Sequence, residues 1–411
     1  MLKHNLYIIL STMLINFTVG NYRSFKERKS LSMEATAIKE HNEYVKIRGN
    51  LKLLPSAVLY GANSSGKSNL IKALSTFRRI IVSSSKLNST DNIPVVPFLL
   101  SDETENQPTT FEIEILVEAD IYRYGFKADT AKVHEEWLFS KTNGKGREKC
   151  LFVRTSEGIG ITPNFPEGKD LEEKTRDNAL FLSTVDSFNG EISKKIIRTV
   201  TKIVPLSGIN HGYLAESTEK MCNELGKFHE VLDNFFTMLD LGFNKFQIPD
   251  DPDVIRRVKA YTYHNKYDKN GLIIDQVRFN MKQNESSGTN KIYDLSSPII
   301  TALKMGLILI IDELDSKLHP ILTQRIIKLF NDSEQNMSGQ LIFATHDTNL
   351  LSNKVFRRDQ IWFTEKDKTE ATDLYSLVEF KEPDGTKIRN DRSYEKDYIN
   401  GRYGAIPYIK N

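Results

Sequence analysis

The hydrophobic pattern changes its period along the chain. Leu14-Ile15-Asn16-Phe17-Thr18-Val19 alternates as a strand does, and Val45 and Ile47 mark a second short β run. Ser56-Ala57-Val58-Leu59-Tyr60, led in by Pro55, is a compact apolar strand that stops at residues 61–68. Beyond that break Leu70, Ile71, Leu74 and Phe77 recur at helical spacing, which predicts a helix over residues 69–81. Residues 82–110 are rich in Ser, Asn, Asp, Thr and Pro and read as a loop. Residues 110–117 then alternate as a half-buried strand, with 121–126 and 136–139 close enough behind to pair with it antiparallel.

Residues 170–240 turn helical. Ile196, Ile197, Val200, Ile203 and Val204 predict one amphipathic helix. Met221, Leu225, Phe228, Val231, Leu232, Phe235 and Leu239 predict another. Strand character returns at 258–263 and 272–279. The last third alternates: helix over 291–304, buried strand over 307–311, helix over 318–330, buried strand over 340–344. No internal repeat is found, and no heptad persists long enough for a coiled-coil arm.

Composition narrows the class. The 411 residues carry 56 Lys+Arg against 54 Asp+Glu, a net charge of +2, with 39% hydrophobic residues. That is too apolar and too evenly charged for a disordered chain, and it argues against a strongly basic nucleic-acid binder. The two cysteines, Cys150 and Cys222, form no metal-binding spacing or disulfide framework and read as reduced thiols of a cytoplasmic protein. The apolar N-terminus is interrupted by Asn5, Ser11, Thr12 and Asn16, so it is read neither as a membrane span nor as a signal peptide. Met13 is taken as the natural start, with residues 1–12 an upstream extension.

The chemistry begins at the break after Tyr60. Gly61-Ala62-Asn63-Ser64-Ser65-Gly66-Lys67-Ser68 satisfies GxxxxGK[ST] at every fixed position, between a buried strand and a helix. Glycines allow a tight turn whose N–H groups face phosphate oxygens, and the helix adds its positive dipole end. Lys67 would reach the β- and γ-phosphates, Ser68 would ligate Mg²⁺, and Asn63, Ser64, Ser65, Gly66 and Asn69 complete the cradle. Downstream, Leu307-Ile308-Leu309-Ile310-Ile311 ends in Asp312-Glu313, a strand buried on both faces that delivers two carboxylates at its carboxyl end. Asp312 is placed at the Mg²⁺ of a bound nucleotide, and Glu313 is placed to polarise the attacking water. Between the two motifs Ser286-Ser287-Gly288-Thr289-Asn290 offers small hydroxylated residues and a glycine at a helix start. His346, in Ala344-Thr345-His346-Asp347, closes another buried strand and reads as a γ-phosphate sensor.

This series resembles the ATP-binding heads of the ABC/SMC/RecF class, as does Asn21-Tyr22-Arg23-Ser24-Phe25 near the start. The resemblance implies an α/β fold, an ABC/SMC-type P-loop NTPase head with an inserted α+β lid region. It implies a homodimer that sandwiches ATP, with Ser287 and Gly288 of one head on the γ-phosphate held by the other. It further implies that Asp315 lies on a dimer-communication loop and that His346 is the switch histidine. Thr289 and Asn290 depart from the usual signature LSGGQ. Gln107 is the candidate for the glutamine-loop residue. With Pro97-Phe98-Leu99-Leu100, Asp312–Pro320 and the tail from Ile388 to Pro407, most of the chain resembles stand-alone bacterial AAA-type phosphatases related to RloA and the AbiL-type abortive-infection ATPases. That resemblance implies phage defence beside a separately encoded, often Toprim-type, nuclease-like effector.

The expected organisation is a phosphate-loop lobe over 13–165, a mainly helical insertion over 166–255, and a lobe with signature, acidic pair and His346 over 256–411. About 218 residues separate Ser68 from Ser286, which predicts a compact lid in place of long arms, and the 65 residues after His346 leave little room for a fused nuclease. The tail is basic and aromatic, with Arg389, Arg392, Lys396 and Arg402 among Tyr394, Tyr398, Tyr403 and Tyr408. It reads either as a docked terminus or as a nucleic-acid contact. Three functions stand: an ATPase gating a partner, an ATP-dependent scaffold or sensor without hydrolysis, and a RecF/SMC-like DNA-repair ATPase.

Overall fold

The computed structural model describes residues 12–144, 146–224, 228–249, 260–382 and 384–406. The first lobe runs β1 (Thr12–Gly20), β2 (Lys29–Ser32), β3 (Lys46–Arg48), β4 (Leu51–Leu53) and β5 (Ser56–Tyr60), then helix α1 (Lys67–Ser83). A meander follows: β6 (Thr109–Val117), β7 (Asp120–Ala128), β8 (Val133–Lys141), β9 (Lys149–Thr155) and β10 (Gly158–Ile161). Next come α2 (Phe181–Ser187), α3 (Glu191–Thr201), β11 (Ile203–Ser207), α4 (Ala215–Glu224) and α5 (Phe228–Leu239). A small sheet of β12 (Lys245–Gln247), β13 (Tyr261–Tyr267) and β14 (Ile273–Asn280) leads into α6 (Met281–Asn284) and α7 (Ser287–Met305). The chain finishes with β15 (Ile308–Asp312), α8 (Pro320–Asn331), β16 (Gln340–Ala344), β17 (Ile361–Lys366), β18 (Thr372–Ser376) and α9 (Tyr394–Ile399).

Two large sheets organise these elements. Six strands lie in the order β11-β15-β16-β5-β17-β18, parallel except for β18. Seven antiparallel strands lie in the order β10-β9-β8-β7-β6-β1-β2. The parallel strands read as unbroken apolar runs because both of their faces are covered. Ala57, Leu59, Ile308, Ile310, Ile342 and Ala344 join the core shared with α1 and the antiparallel sheet. Their neighbours Val58, Tyr60, Leu309, Ile311, Leu341 and Phe343 join a second core under α5, α7 and α8. Alternation is therefore present but invisible in hydropathy, since each face meets an apolar partner.

Helix α1 connects the layers. Phe77 on its inner face stacks on Phe126 at 5.8 Å and 6° and meets Phe17 and Phe111 at 5.7 and 6.1 Å. This aromatic cluster holds the helix, and with it the loop before it, against the antiparallel sheet.

Most predicted elements are found within a few residues of their expected ends. The exception is the helix drawn through Ile203 and Val204. Helix α3 ends at Thr201, and Ile203–Ser207 is a strand that pairs in parallel with Ile308–Asp312. Pro205 explains the switch: it removes an N–H that a helix interior requires, whereas an edge strand tolerates it. Among its described residues, the segment 166–255 thus supplies four helices and one strand of the central sheet. The apolar run from Met221 to Leu239 falls on α4 and α5, while Leu225, Val258, Arg256–Arg257, Pro407, Tyr408 and residues 1–11 lie outside the described residues. Among the described residues no helix exceeds the 19 of α7, and none is long and apolar enough to cross a membrane.

Replacing Phe77 with Ala empties the centre of the aromatic cluster. The expected loss is about 3–5 kcal/mol of unfolding free energy, read as a lower denaturant midpoint; a midpoint equal to wild type would contradict the packing described.

Candidate functional site

Strands β5, β15 and β16 point the same way, so their carboxyl ends share one edge of the sheet, where open α/β sheets bind ligands. A cleft of about 550 Å³ opens there, lined by Asn63, Ser64, Ser65, Gly66, Lys67, Ser68 and Asn69, with Asp312, Glu313, His346 and Lys366. The phosphate-loop segment, the acidic pair and the histidine, far apart in sequence, therefore meet in one place.

The loop is held from behind. Ser65 Oγ lies 2.6 Å from Thr364 Oγ1 of β17, and Thr372 Oγ1 of β18 donates to the Ser65 carbonyl at 2.9 Å. Gly66 has φ +119, and a Cβ there would stand 2.4 Å from Thr372 Oγ1, so both backbone and space demand glycine. Ser24, from the Asn21–Phe25 turn, accepts from Asn69 Nδ2 at 2.8 Å and lies 2.8 Å from Thr372 Oγ1. That turn thus braces the start of α1. Lys67 is buried, its ammonium donating to the Gly61 and Ala62 carbonyls at 2.7 and 3.0 Å. Burial pushes its pKa down to about 8 while Asp312, Glu313 and Asp315 pull it back up. Three carboxylates therefore act on the Lys67 ammonium.

Across the cleft, Asp312 Oδ1 is buried with no hydrogen-bond partner among the described residues. A carboxylate oxygen left without a donor, in the same cleft as the Ser68 hydroxyl, is a donor set that suits Mg²⁺, which takes one or two protein ligands and completes its shell with phosphate and water. The residues fit the ion. Glu313 follows with φ +58. Its backbone is wedged by the loop after β11: the Gly208 amide donates to the Asp312 carbonyl at 2.7 Å, and a Cβ on Gly208 would fall 2.0 Å from the Glu313 carbonyl oxygen. His346 stands at the rim. The protein packed around it and then the Lys67 ammonium hold its pKa below the ordinary histidine value, against the pull of Asp315, Glu313 and Asp312. A neutral ring is thus available beside the acidic pair.

Ser287 and Gly288 do not line this cleft. They open α7, where Ser286 Oγ caps the Thr289 amide at 3.1 Å and a Cβ on Gly288 would lie 3.0 Å from the Lys317 carbonyl oxygen. Gln107 is also elsewhere, in an exposed turn with its carbonyl accepting from Asn21 at 2.8 Å. The loop that does lie beside Asp312 reads Ser207-Gly208-Ile209-Asn210 and holds no glutamine. In the tail, Tyr394 is buried, Tyr398 and Tyr403 pack against Tyr60, Phe363 and Phe380, and Arg392 and Arg402 pair with Asp397 and Glu382. These tyrosines are core residues, not a stacking surface. Sequence reasoning missed Lys366, whose ammonium lies 2.9 Å from Glu370, and the two threonines behind the loop. Their strands carry no motif, and only the pairing of β17 with β5 and β18 brings them near.

Gly208→Ala should force the Glu313 turn aside. The expected cost is about 1–3 kcal/mol of stability, measured by urea denaturation; an unchanged midpoint would show that the close approach is not enforced.

No curated protein matches the chain. Solved structures that it resembles include the SMC head domain from Thermotoga maritima, at 11% identity and TM-score 0.44, covering 89% of this chain and 98% of that one. An SMC head bound to the C-terminal winged-helix domain of ScpA matches at 13% identity and TM-score 0.45, over 89% and 98%. A further Smc head with an extended coiled coil, bound to the C-terminal domain of ScpA derived from Pyrococcus furiosus, matches at 12% and 0.38, over 89% and 96%. The family described as "AAA domain, putative AbiEii toxin, Type IV TA system" matches residues 56–352, a span that includes the phosphate-loop segment, Ser286–Asn290, the acidic pair and His346. The chain belongs to this AAA domain family.

Proposed function

We propose that this protein is a Mg²⁺-dependent ATPase that closes on ATP as a homodimer and uses the cycle to gate a separately encoded effector in bacterial phage defence. The observation that carries the reading is the convergence of residues 63–69 with Asp312, Glu313 and His346 on one cleft, where one Asp312 carboxylate oxygen is buried without a hydrogen-bond partner among the described residues. Lys67 exchanges the Gly61 and Ala62 carbonyls for β- and γ-phosphate oxygens, which returns its charge to a partner of opposite sign. Ser68 and Asp312 hold the magnesium ion, which when bound neutralises charge on the transferred phosphate. Glu313 orients the water for in-line attack and takes its proton. His346, neutral and at the rim, bonds the γ-phosphate and senses its loss.

The position of Ser287 and Gly288 supports the dimer. Ser287 and Gly288 lie outside their own cleft, with hydroxyl and backbone groups at the start of a 19-residue helix. A second copy presents them to the γ-phosphate, each molecule completing the other's site. The family's description as part of a toxin–antitoxin system supports an ATPase that works with a second component. The buried tail tyrosines weigh against single-strand nucleic acid as the ligand of that surface.

Glu313→Gln should retain ATP and accumulate as a dimer by light scattering, with phosphate release reduced about 10²-fold or more. Turnover at the wild-type rate would reject the assignment of Glu313.

A further inference from the structure

Lys291 of α7 has no part in the proposed chemistry, yet its side chain reaches the turn that carries Glu313. It sits one turn beyond Ser287 and is completely buried. Its ammonium donates to three backbone carbonyls of the turn after β15: Leu314 at 2.8 Å, Ser316 at 2.7 Å and Glu313 at 3.3 Å. Three carbonyl oxygens converging on one point repel each other and need a common donor. An ammonium with three N–H groups supplies it. The same turn holds two non-glycine residues in left-handed backbone, Glu313 at φ +58 and Lys317 at φ +63. Its own amides close it locally, Ser316 to Glu313 at 3.2 Å and Leu318 to Asp315 at 2.9 Å, and the Leu314 amide donates to the Ala344 carbonyl of β16 at 3.2 Å. The side chain that ties it to α7 is Lys291. Burial pushes the Lys291 pKa down to about 8, with Asp315 and Glu313 opposing that shift and Lys317 adding to it, so the position is one where charge is kept at a cost. One turn further along α7, Asp294 lies 2.7 Å from His211 on the loop after β11. Helix α7 is thus fastened to both loops that flank Asp312.

We propose that Lys291 is a positioning residue that locks the Glu313–Ser316 turn to the first turn of α7, so that the aim of Glu313 and Asp315 depends on where the Ser287–Gly288 end of that helix is seated. This rests on the ATPase reading above. It adds a route by which the segment addressed to one nucleotide sets the geometry around the other within the same chain. Lys291 does not line the cleft, so its effect falls on turnover and not on ATP affinity.

The test uses the full chain with Lys291→Met and Lys291→Arg. Three quantities are read: affinity for a fluorescent ATP analogue, phosphate release as a function of ATP, and amide hydrogen exchange of the peptide spanning residues 313–319. Lys291→Met should bind the analogue within about threefold of wild type and lose about 10- to 100-fold in kcat, the cost of a misplaced catalytic group. Exchange at residues 314–318 should accelerate while that of the phosphate loop stays as in wild type. Lys291→Arg, which keeps charge and donors, should recover part of both. Wild-type kcat in Lys291→Met, unchanged exchange in the turn, or a loss confined to nucleotide affinity would overturn the proposal. If the wild-type chain itself fails to hydrolyse ATP, the ATPase reading falls, and the exchange comparison still decides whether Lys291 holds the turn.

Discussion

Parallel pairing of β5, β16 and β15 is the constraint from which the site follows. Each of these strands is buried on both faces, so its polar groups can emerge only at its ends. Because the strands run the same way, the phosphate loop, His346 and the Asp312–Glu313 pair emerge at one edge. Nothing in the local sequence around any one of them requires this. It results from two apolar cores, one under α1 and the antiparallel sheet and one under α5, α7 and α8, each taking alternate side chains from the same strands. Disturbing either core would tilt the strands and separate groups that must act within a few ångströms.

A second layer of control is polar and acts on backbone. Thr364 and Thr372 grip the phosphate loop from behind, and Gly66 is shaped to let Thr372 approach. Gly208 wedges the Asp312–Glu313 backbone from the side, and Lys291 gathers the carbonyls that follow it. The side chains that line the cleft thus stand on turns whose backbone is fixed by residues outside it. This is how a loop site reaches the precision of one built on helices and strands.

What could be read from the sequence was whatever is local. The phosphate loop is a contiguous string whose glycines and lysine have a mechanical reason for their spacing. The Asp312–Glu313 and His346 strand ends stand out because an apolar run stops abruptly at a charge or a histidine. The strand at Ile203–Ser207 was hidden because Ile196, Val200 and Ile203 preserve a helical spacing across Lys202, and the pairing with β15 decides the outcome. Pro205 was the available signal. Thr364, Thr372 and Lys366 meet the loop from roughly three hundred residues away, so no window of sequence contains the interaction. The tail tyrosines were ambiguous for a related reason: an amphipathic turn with aromatic residues looks alike whether its rings face a nucleic acid or, as here, Tyr60 and Phe363.

The central claim is that one catalytic site is assembled from two molecules, and complementation tests it most directly. A chain with Lys67→Ala and a chain with Ser287→Arg are each made and assayed for phosphate release, alone and mixed. Each should be inactive alone. Mixing should restore turnover, because a mixed dimer has one site that takes its phosphate loop from the second chain and its signature from the first. A Ser287→Arg chain fully active alone, or a mixture as inactive as its parts, would contradict the account.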